Sequence, residues 1–189
     1  MAKDGSALNA PHFRIDKTIA LVGLMGAGKT TVGRRLALAL SIDFVDADEA
    51  IETAAGCSIS DMFSAFGEAY FRAGERRVIE RLLDGPPKVL ATGGGAFIQD
   101  ETRALLRAQA LTVWLKADLE ILVRRVRRRD TRPLLRGQDV DAVMSRLMAE
   151  RYPIYAQADI CVESVDGPHH KTVDLVLEAL RADAAGSPS

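Results

Sequence analysis

The run Gly23-Leu24-Met25-Gly26-Ala27-Gly28-Lys29-Thr30 fits the phosphate-loop pattern G-x-x-x-x-G-K-[ST], and it falls between an apolar stretch and a segment of helical periodicity. Glycines let backbone approach phosphate oxygens, successive N–H groups converge on the anion, and the following helix offers the positive end of its dipole. In this pattern Lys29 is expected to hold the β- and γ-phosphates of a nucleotide. The Thr30 hydroxyl is expected to bind Mg²⁺, which bridges those phosphates.

Other candidate residues concern what receives the phosphate. Asp46 and Asp48 stand in VDADE at the end of an apolar run. If the strand continues through them, their spacing of two puts both carboxylates on one side, facing the phosphate loop. One would then order Mg²⁺ through water, and the other would accept hydrogen bonds from a polyol and position its attacking hydroxyl. The same residues also suit an Asx turn with a helix cap at Asp48. Gly93-Gly94-Gly95 follows KVLAT, so a strand there ends in backbone that a small substrate can approach closely. Arg72, with Glu75 one turn later, reads either as a surface helical ion pair or as half of a carboxylate clamp, and Arg151 in RYPIY is open to both readings.

The elements that must position these residues alternate. Thr18 to Val22, Phe44-Val45, Lys88 to Thr92, Leu111 to Leu115 and Ile160 to Val162 read as five short strands. Helical patterns begin at Lys29 and cover Tyr70 to Leu83, Asp100 to Ala108, Asp118 to Arg129, Val140 to Arg151 and Lys171 to Ala182, with Ser60 as a further helix cap. This alternation predicts a three-layer α/β domain over residues 17–182, with a parallel sheet, right-handed crossovers and ligands at the strand carboxyl ends. Residues 1–16 and 183–189 read as tails.

A chain of 189 residues with 48% hydrophobic residues suits one globular domain. Its formal net charge of −1 gives no general attraction to nucleic acid or anionic membrane. Cys57 and Cys161 share no metal-binding spacing and suggest ordinary thiols of a reducing cytoplasm. No apolar run is long enough to cross a bilayer, and the opening MAKDGSALNAPHFRID lacks the apolar centre of a signal peptide. Seven arginines and one acidic residue lie between Arg124 and Arg136, a basic stretch that reads as a flexible loop, with Arg127, Arg128 and Arg129 also suiting a solvated helix face. His169 and His170 read as loop residues.

Taken in order, GLMGAGKTTVGRRLA, FVDADEAIE, SISDMFSAFGEAYFR, ATGGGA, TRPLL and RYPIY resemble the shikimate kinase family from about Ile19 to Leu180. The resemblance implies a P-loop NTPase domain of the nucleoside-monophosphate-kinase type, with a five-stranded parallel sheet and a mobile lid at about 127–139. It implies transfer of a phosphoryl group from ATP to the 3-hydroxyl of shikimate, on the route to chorismate and aromatic amino acids, by a monomer. Carried over to this chain, it makes Asp48, Arg72, Gly94 and Arg151 the shikimate-binding set, and Gly26, Ala27, Gly28, Lys29, Thr30 and Thr31 the ATP-phosphate loop. It also gives Asp46 a water-mediated role at Mg²⁺, places Arg125 on the adenine side, and assigns Arg132 of the lid to charge on the transferring phosphoryl group. Phe63 and Phe71 suit either packing against the substrate ring or the core. The family's further basic nucleotide contact near the last strand has no evident counterpart in Asp166-Gly167-Pro168-His169-His170. A gluconate kinase of the same fold and a nucleotide-dependent binding switch are the alternatives.

Overall fold

Five residues of apolar or β-branched character, Thr18–Val22, form strand β1, and all five are buried. Burial on both faces requires neighbours on both edges, and β1 pairs in parallel with β3 (Lys88–Ala91) on one side and β4 (Ala110–Lys116) on the other. The computed structural model describes residues 15–128 and 139–186. Its single sheet has the order β2-β3-β1-β4-β5, with β2 at Asp43–Asp46 and β5 at Ile160–Glu163, and every neighbouring pair is parallel. Ile19 sits opposite Val89 and Leu111, so the central strand carries the core across the sheet.

Helices flank this sheet. They are α1 (Lys29–Leu40), α2 (Ala47–Ala55), α3 (Ile59–Leu83), α4 (Asp100–Gln109), α5 (Leu119–Arg127), α6 (Val140–Tyr155) and α7 (His169–Gly186), with a 3₁₀ turn at Ala96–Ile98. Helix α1 packs on α7, α2 on α3, and α5 on α6. Val32, Leu36 and Leu40 recur along α1 at helical spacing and join the main core beneath β1. A smaller cluster of Ile51, Met62, Phe71 and Val78 holds α2 against α3.

Several boundaries depart from the sequence reading, each for a local reason. The second strand ends at Asp46, whose carboxylate accepts from the Asp48 backbone N–H and caps α2, so Asp48 stands in the first helical turn and not on the strand. Ser58, rather than Ser60, caps α3 by accepting from Asp61 N–H, while its own hydroxyl donates to the Asp61 carboxylate. That helix begins eleven residues before Tyr70 and is broken at Gly67, with φ 78° and ψ 174°. Helix α6 continues past Arg151 through Pro153 to Tyr155. At the end of the chain α7 takes in His169 and His170, read as loop, and residues 183–186, read as tail. Arg132 and most of the expected lid lie outside the described residues, as do residues 1–14 and 187–189 of the expected tails.

Candidate active site

A cleft of about 1260 Å³ opens above the carboxyl ends of β1, β2 and β3. Its floor is the loop between β1 and α1. Gly26 and Gly28 take φ 84° and 98°, the left-handed region where a side chain is strained, and Gly28 is the residue from which α1 starts. The amino end of α1 therefore faces the cleft with Lys29, Thr30 and Thr31 on its lining. Lys29 Nζ donates to the carbonyls of Gly23 and Leu24 at 2.8 and 3.0 Å, folding the ammonium over its own loop. Thr30 Oγ1 donates to Asp46 Oδ2 at 2.7 Å. A hydroxyl and a carboxylate side by side are the hard oxygen donors that Mg²⁺ takes, directly or through water. Among the described residues no three acidic, histidine or cysteine side chains gather to form a metal site.

Arg125 reaches the same loop from α5. Its Nη1 donates to the carbonyls of Gly26 and Ala27, each at 3.3 Å, and to Ser164 Oγ at 3.0 Å, while Nη2 donates to Val165 O at 2.8 Å. Ser164 Oγ in turn donates to Ala27 O. Burial lowers the Arg125 pKa, opposed by the Asp166 carboxylate. Arg125 thus ties the phosphate loop to the segment following β5. Beside it, Arg124 pairs with Asp166, and His169 Nδ1 lies 4.0 Å from where a Gly28 Cβ would stand. The segment that sequence reading took as bare loop therefore borders the nucleotide end of the cleft.

The other end is built from side chains. Asp48 and Glu75 converge on Gly93, with carboxylate oxygens 2.7 and 3.0 Å from the position a Cβ would take. Arg72 Nη1 pairs with Glu75 Oε2 at 2.7 Å and its Nε with Glu68 Oε1 at 3.2 Å. Glu75 is only 1% exposed, so this is no surface ion pair. Burial raises the Glu75 pKa, and Arg72 opposes the rise. The Arg72 guanidinium also stacks near Phe71 and Phe63, at 5.1 and 5.9 Å from their ring centroids. The two rings lie 4.6 Å apart; Phe71 is buried while Phe63 is on the exposed rim, and both line the cleft.

The glycine triplet receives both arginines. A Cβ at Gly95 would stand 2.4 Å from Arg72 Nη2, so only glycine admits the guanidinium there. Arg151 Nη1 donates to Gly94 O at 3.2 Å. The two cations thus meet at neighbouring glycines, a convergence that sequence spacing left open. Glu75 was missed as a site residue, as was Tyr155, whose hydroxyl donates to Gly94 O. An acid one turn after Arg72 was visible, but its burial was not.

The chain has clear relatives. A family profile described as shikimate kinase matches residues 25–181. Shikimate kinases of Caulobacter vibrioides and Paramagnetospirillum magneticum are each 59% identical, over 87% and 88% of this chain and 82% and 86% of their own lengths. A shikimate kinase from Acinetobacter baumannii, solved in complex with shikimate, superposes with a TM-score of 0.85 at 35% identity, over 90% of this chain and 96% of that one. A gluconokinase from Sinorhizobium meliloti shares the fold, with a TM-score of 0.61 at 18% identity over 92% and 96% of the two chains. The cleft with its phosphate loop, acidic pair and two arginines is therefore that of a kinase, and the chain belongs to the shikimate kinase family.

Proposed function

We propose that this protein transfers the γ-phosphoryl group of ATP to the 3-hydroxyl of shikimate, giving shikimate 3-phosphate and ADP. The observation that carries the reading is the meeting of Arg72 and Arg151 at Gly94-Gly95, next to Asp48 at Gly93 and against the phosphate loop, whose Met25 N lies 3.5 Å from where a Gly94 Cβ would be. Two guanidinium groups at one place suit a carboxylate, which each can bind in bidentate fashion. Asp48, against the preceding Gly93, suits the hydroxyls of a ring held by that carboxylate.

In this reading the residues from Gly26 to Thr31 wrap the ATP phosphates, and Lys29 leaves its carbonyl partners for the β- and γ-oxygens. Thr30 and, through water, Asp46 hold Mg²⁺, which when bound neutralises charge on the phosphates. Asp48 orients the 3-hydroxyl in line with the leaving β-phosphate oxygen. As the new O–P bond forms and the bond between the β,γ-bridging oxygen and the γ-phosphorus breaks, the hydroxyl proton passes to Asp48 or to water. Arg132, which lies outside the described residues, is the residue assigned to charge on the transferring phosphoryl group. Arg125 and the segment at Asp166 to His169 border the adenine. The reading takes the acting unit to be a monomer whose domain spans residues 17–182. ATP as co-substrate and two free cysteines support a cytoplasmic setting. Nothing in the reading calls on nucleic acid or a membrane, and among the described residues no helix is long and apolar enough to cross one.

The test is ADP release by the purified protein with Mg-ATP and shikimate, gluconate or no acceptor, with products identified by mass spectrometry. Shikimate-dependent formation of shikimate 3-phosphate is expected. Tight ATP binding with no shikimate product would overturn the proposal, and gluconate-dependent turnover would replace it.

A further inference from the structure

Tyr155 is fully buried at the end of α6, and no step above uses it. Its hydroxyl donates to Gly94 O, the carbonyl that also accepts from Arg151. A carbonyl oxygen has two lone pairs, and here each has a donor. The peptide joining Gly94 to Gly95 is trans and planar, so holding its oxygen toward α6 holds the Gly95 N–H in the opposite direction.

This matters because of where the peptide lies. Glycines flank it on both sides, and no Cβ resists its rotation. If it turned over, the Gly94 carbonyl oxygen and the Gly95 N–H would exchange directions and the oxygen would leave its Tyr155 and Arg151 donors, at the glycine against which the Arg72 guanidinium packs. Arg151 alone is a poor anchor, because its guanidinium must also reach that acceptor. Tyr155 has no such second duty. Its ring is locked between Phe97, 6.3 Å away on the 3₁₀ turn just after the triplet, and Trp114, 6.1 Å away on β4. Trp114 in turn abuts Gly23, the first glycine of the phosphate loop, with Cδ1 3.4 Å from where its Cβ would be. The fixed ring sets the hydroxyl, and the hydroxyl sets the peptide.

We infer that Tyr155 is a positioning residue for the acceptor, holding the Gly94-Gly95 peptide and, through the shared carbonyl, the Arg151 guanidinium in the geometry that receives the carboxylate. Burial pushes its pKa up to about 12, so the hydroxyl remains a donor throughout the neutral range. The role rests on the reading of shikimate as acceptor.

The experiment is steady-state kinetics and thermal unfolding of wild type, Tyr155→Phe and Tyr152→Phe. The Tyr152 hydroxyl donates to Ala117 O, away from the triplet, and serves as the matched loss of a helix α6 hydroxyl. Tyr155→Phe is expected to raise the KM for shikimate about five- to tenfold, the effect of one lost hydrogen bond, with kcat and the KM for ATP within about twofold. Tyr152→Phe is expected to lower Tm without moving the shikimate KM. An unchanged shikimate KM in Tyr155→Phe, or both KM values rising together in step with a fall in Tm, would overturn the role. Should Tyr155→Phe not fold, ¹⁵N-glycine-labelled wild type titrated with shikimate decides: the Gly95 amide signal is expected to shift, and an unmoved signal rejects the role. Wild type without shikimate turnover would overturn the functional reading and this role with it, whereas normal wild-type turnover with an unmoved variant would overturn the role alone.

Discussion

Gly23 to Thr30, which form the phosphate end of the cleft, are eight consecutive residues, whereas the acceptor end draws Asp48 from α2, Arg72 and Glu75 from α3, the triplet from the end of β3, and Arg151 and Tyr155 from α6. The first end works mainly through backbone N–H groups and a helix terminus, which local sequence determines. The second works through charged side chains brought together by packing. The phosphate end should therefore fail sharply when the Lys29 charge is removed. The acceptor end should fail in graded steps, with substrate affinity lost before turnover.

The sharpest test of that contrast is Lys29→Met. If the ammonium serves the transferring phosphoryl group, kcat is expected to fall on the order of 10³-fold, the scale of removing one preorganised donor from developing charge. Loss of ATP affinity with kcat retained would move Lys29 from the transition state to plain binding. Arg72→Ala and Arg151→Ala should come next. Each removes a charge-assisted partner of the acceptor carboxylate, worth about 1.5–3 kcal/mol, so titration calorimetry should show roughly 10- to 150-fold weaker shikimate binding. ATP affinity should hold. Wild-type shikimate affinity in both variants would reject the clamp.

Gly95→Ala probes the same end without deleting a charge. The new Cβ would stand 2.4 Å from Arg72 Nη2, and the guanidinium, being the end of a flexible chain, can swing away while the fold survives. The shikimate KM is expected to rise about tenfold, with Tm within a few degrees of wild type. An unchanged KM would mean that Arg72 reaches the carboxylate from elsewhere.

How far the sequence could be read follows the same division. All five strands were visible because runs such as TIALV are short, apolar and bounded by turn residues, and the glycine spacing with Lys29 and Thr30 located the loop. The beginning of α3 was not, because Gly67 interrupts its pattern and Ser58 and Ser60 are equally good caps by type. Asp48 lines the cleft from the first turn of α2 and not from the strand, since Asp46 caps the helix and turns the chain, which is the turn-and-cap alternative that residue type left open. The α7 histidines read as loop by residue type, yet Pro168 before them suits the start of a helix. The acceptor residues were gathered by resemblance to a family, not by spacing. Only burial distinguishes Glu75 from any helical acid paired with an arginine, and burial is a property of the assembled fold.

Glu75 offers the finest test, because its effect should be small and should carry a sign. Burial raises its pKa above the ordinary 4.5, Arg72 pulls it down by charge and hydrogen bond, and Asp48 and Glu68 add to the rise. The net shift is upward, so the folded protein holds this proton more tightly than the unfolded chain does. Its contribution to stability is then full below 4.5 and is lost as pH rises through the folded value. A glutamine at this position is neutral at every pH and carries no such term. The Tm of wild type minus that of Glu75→Gln is therefore expected to fall as pH is raised from 4.5, by on the order of a few degrees. A Tm difference that rises with pH would mean that the Arg72 charge outweighs burial, and that the acceptor end, like the phosphate end, is held by ionised partners throughout.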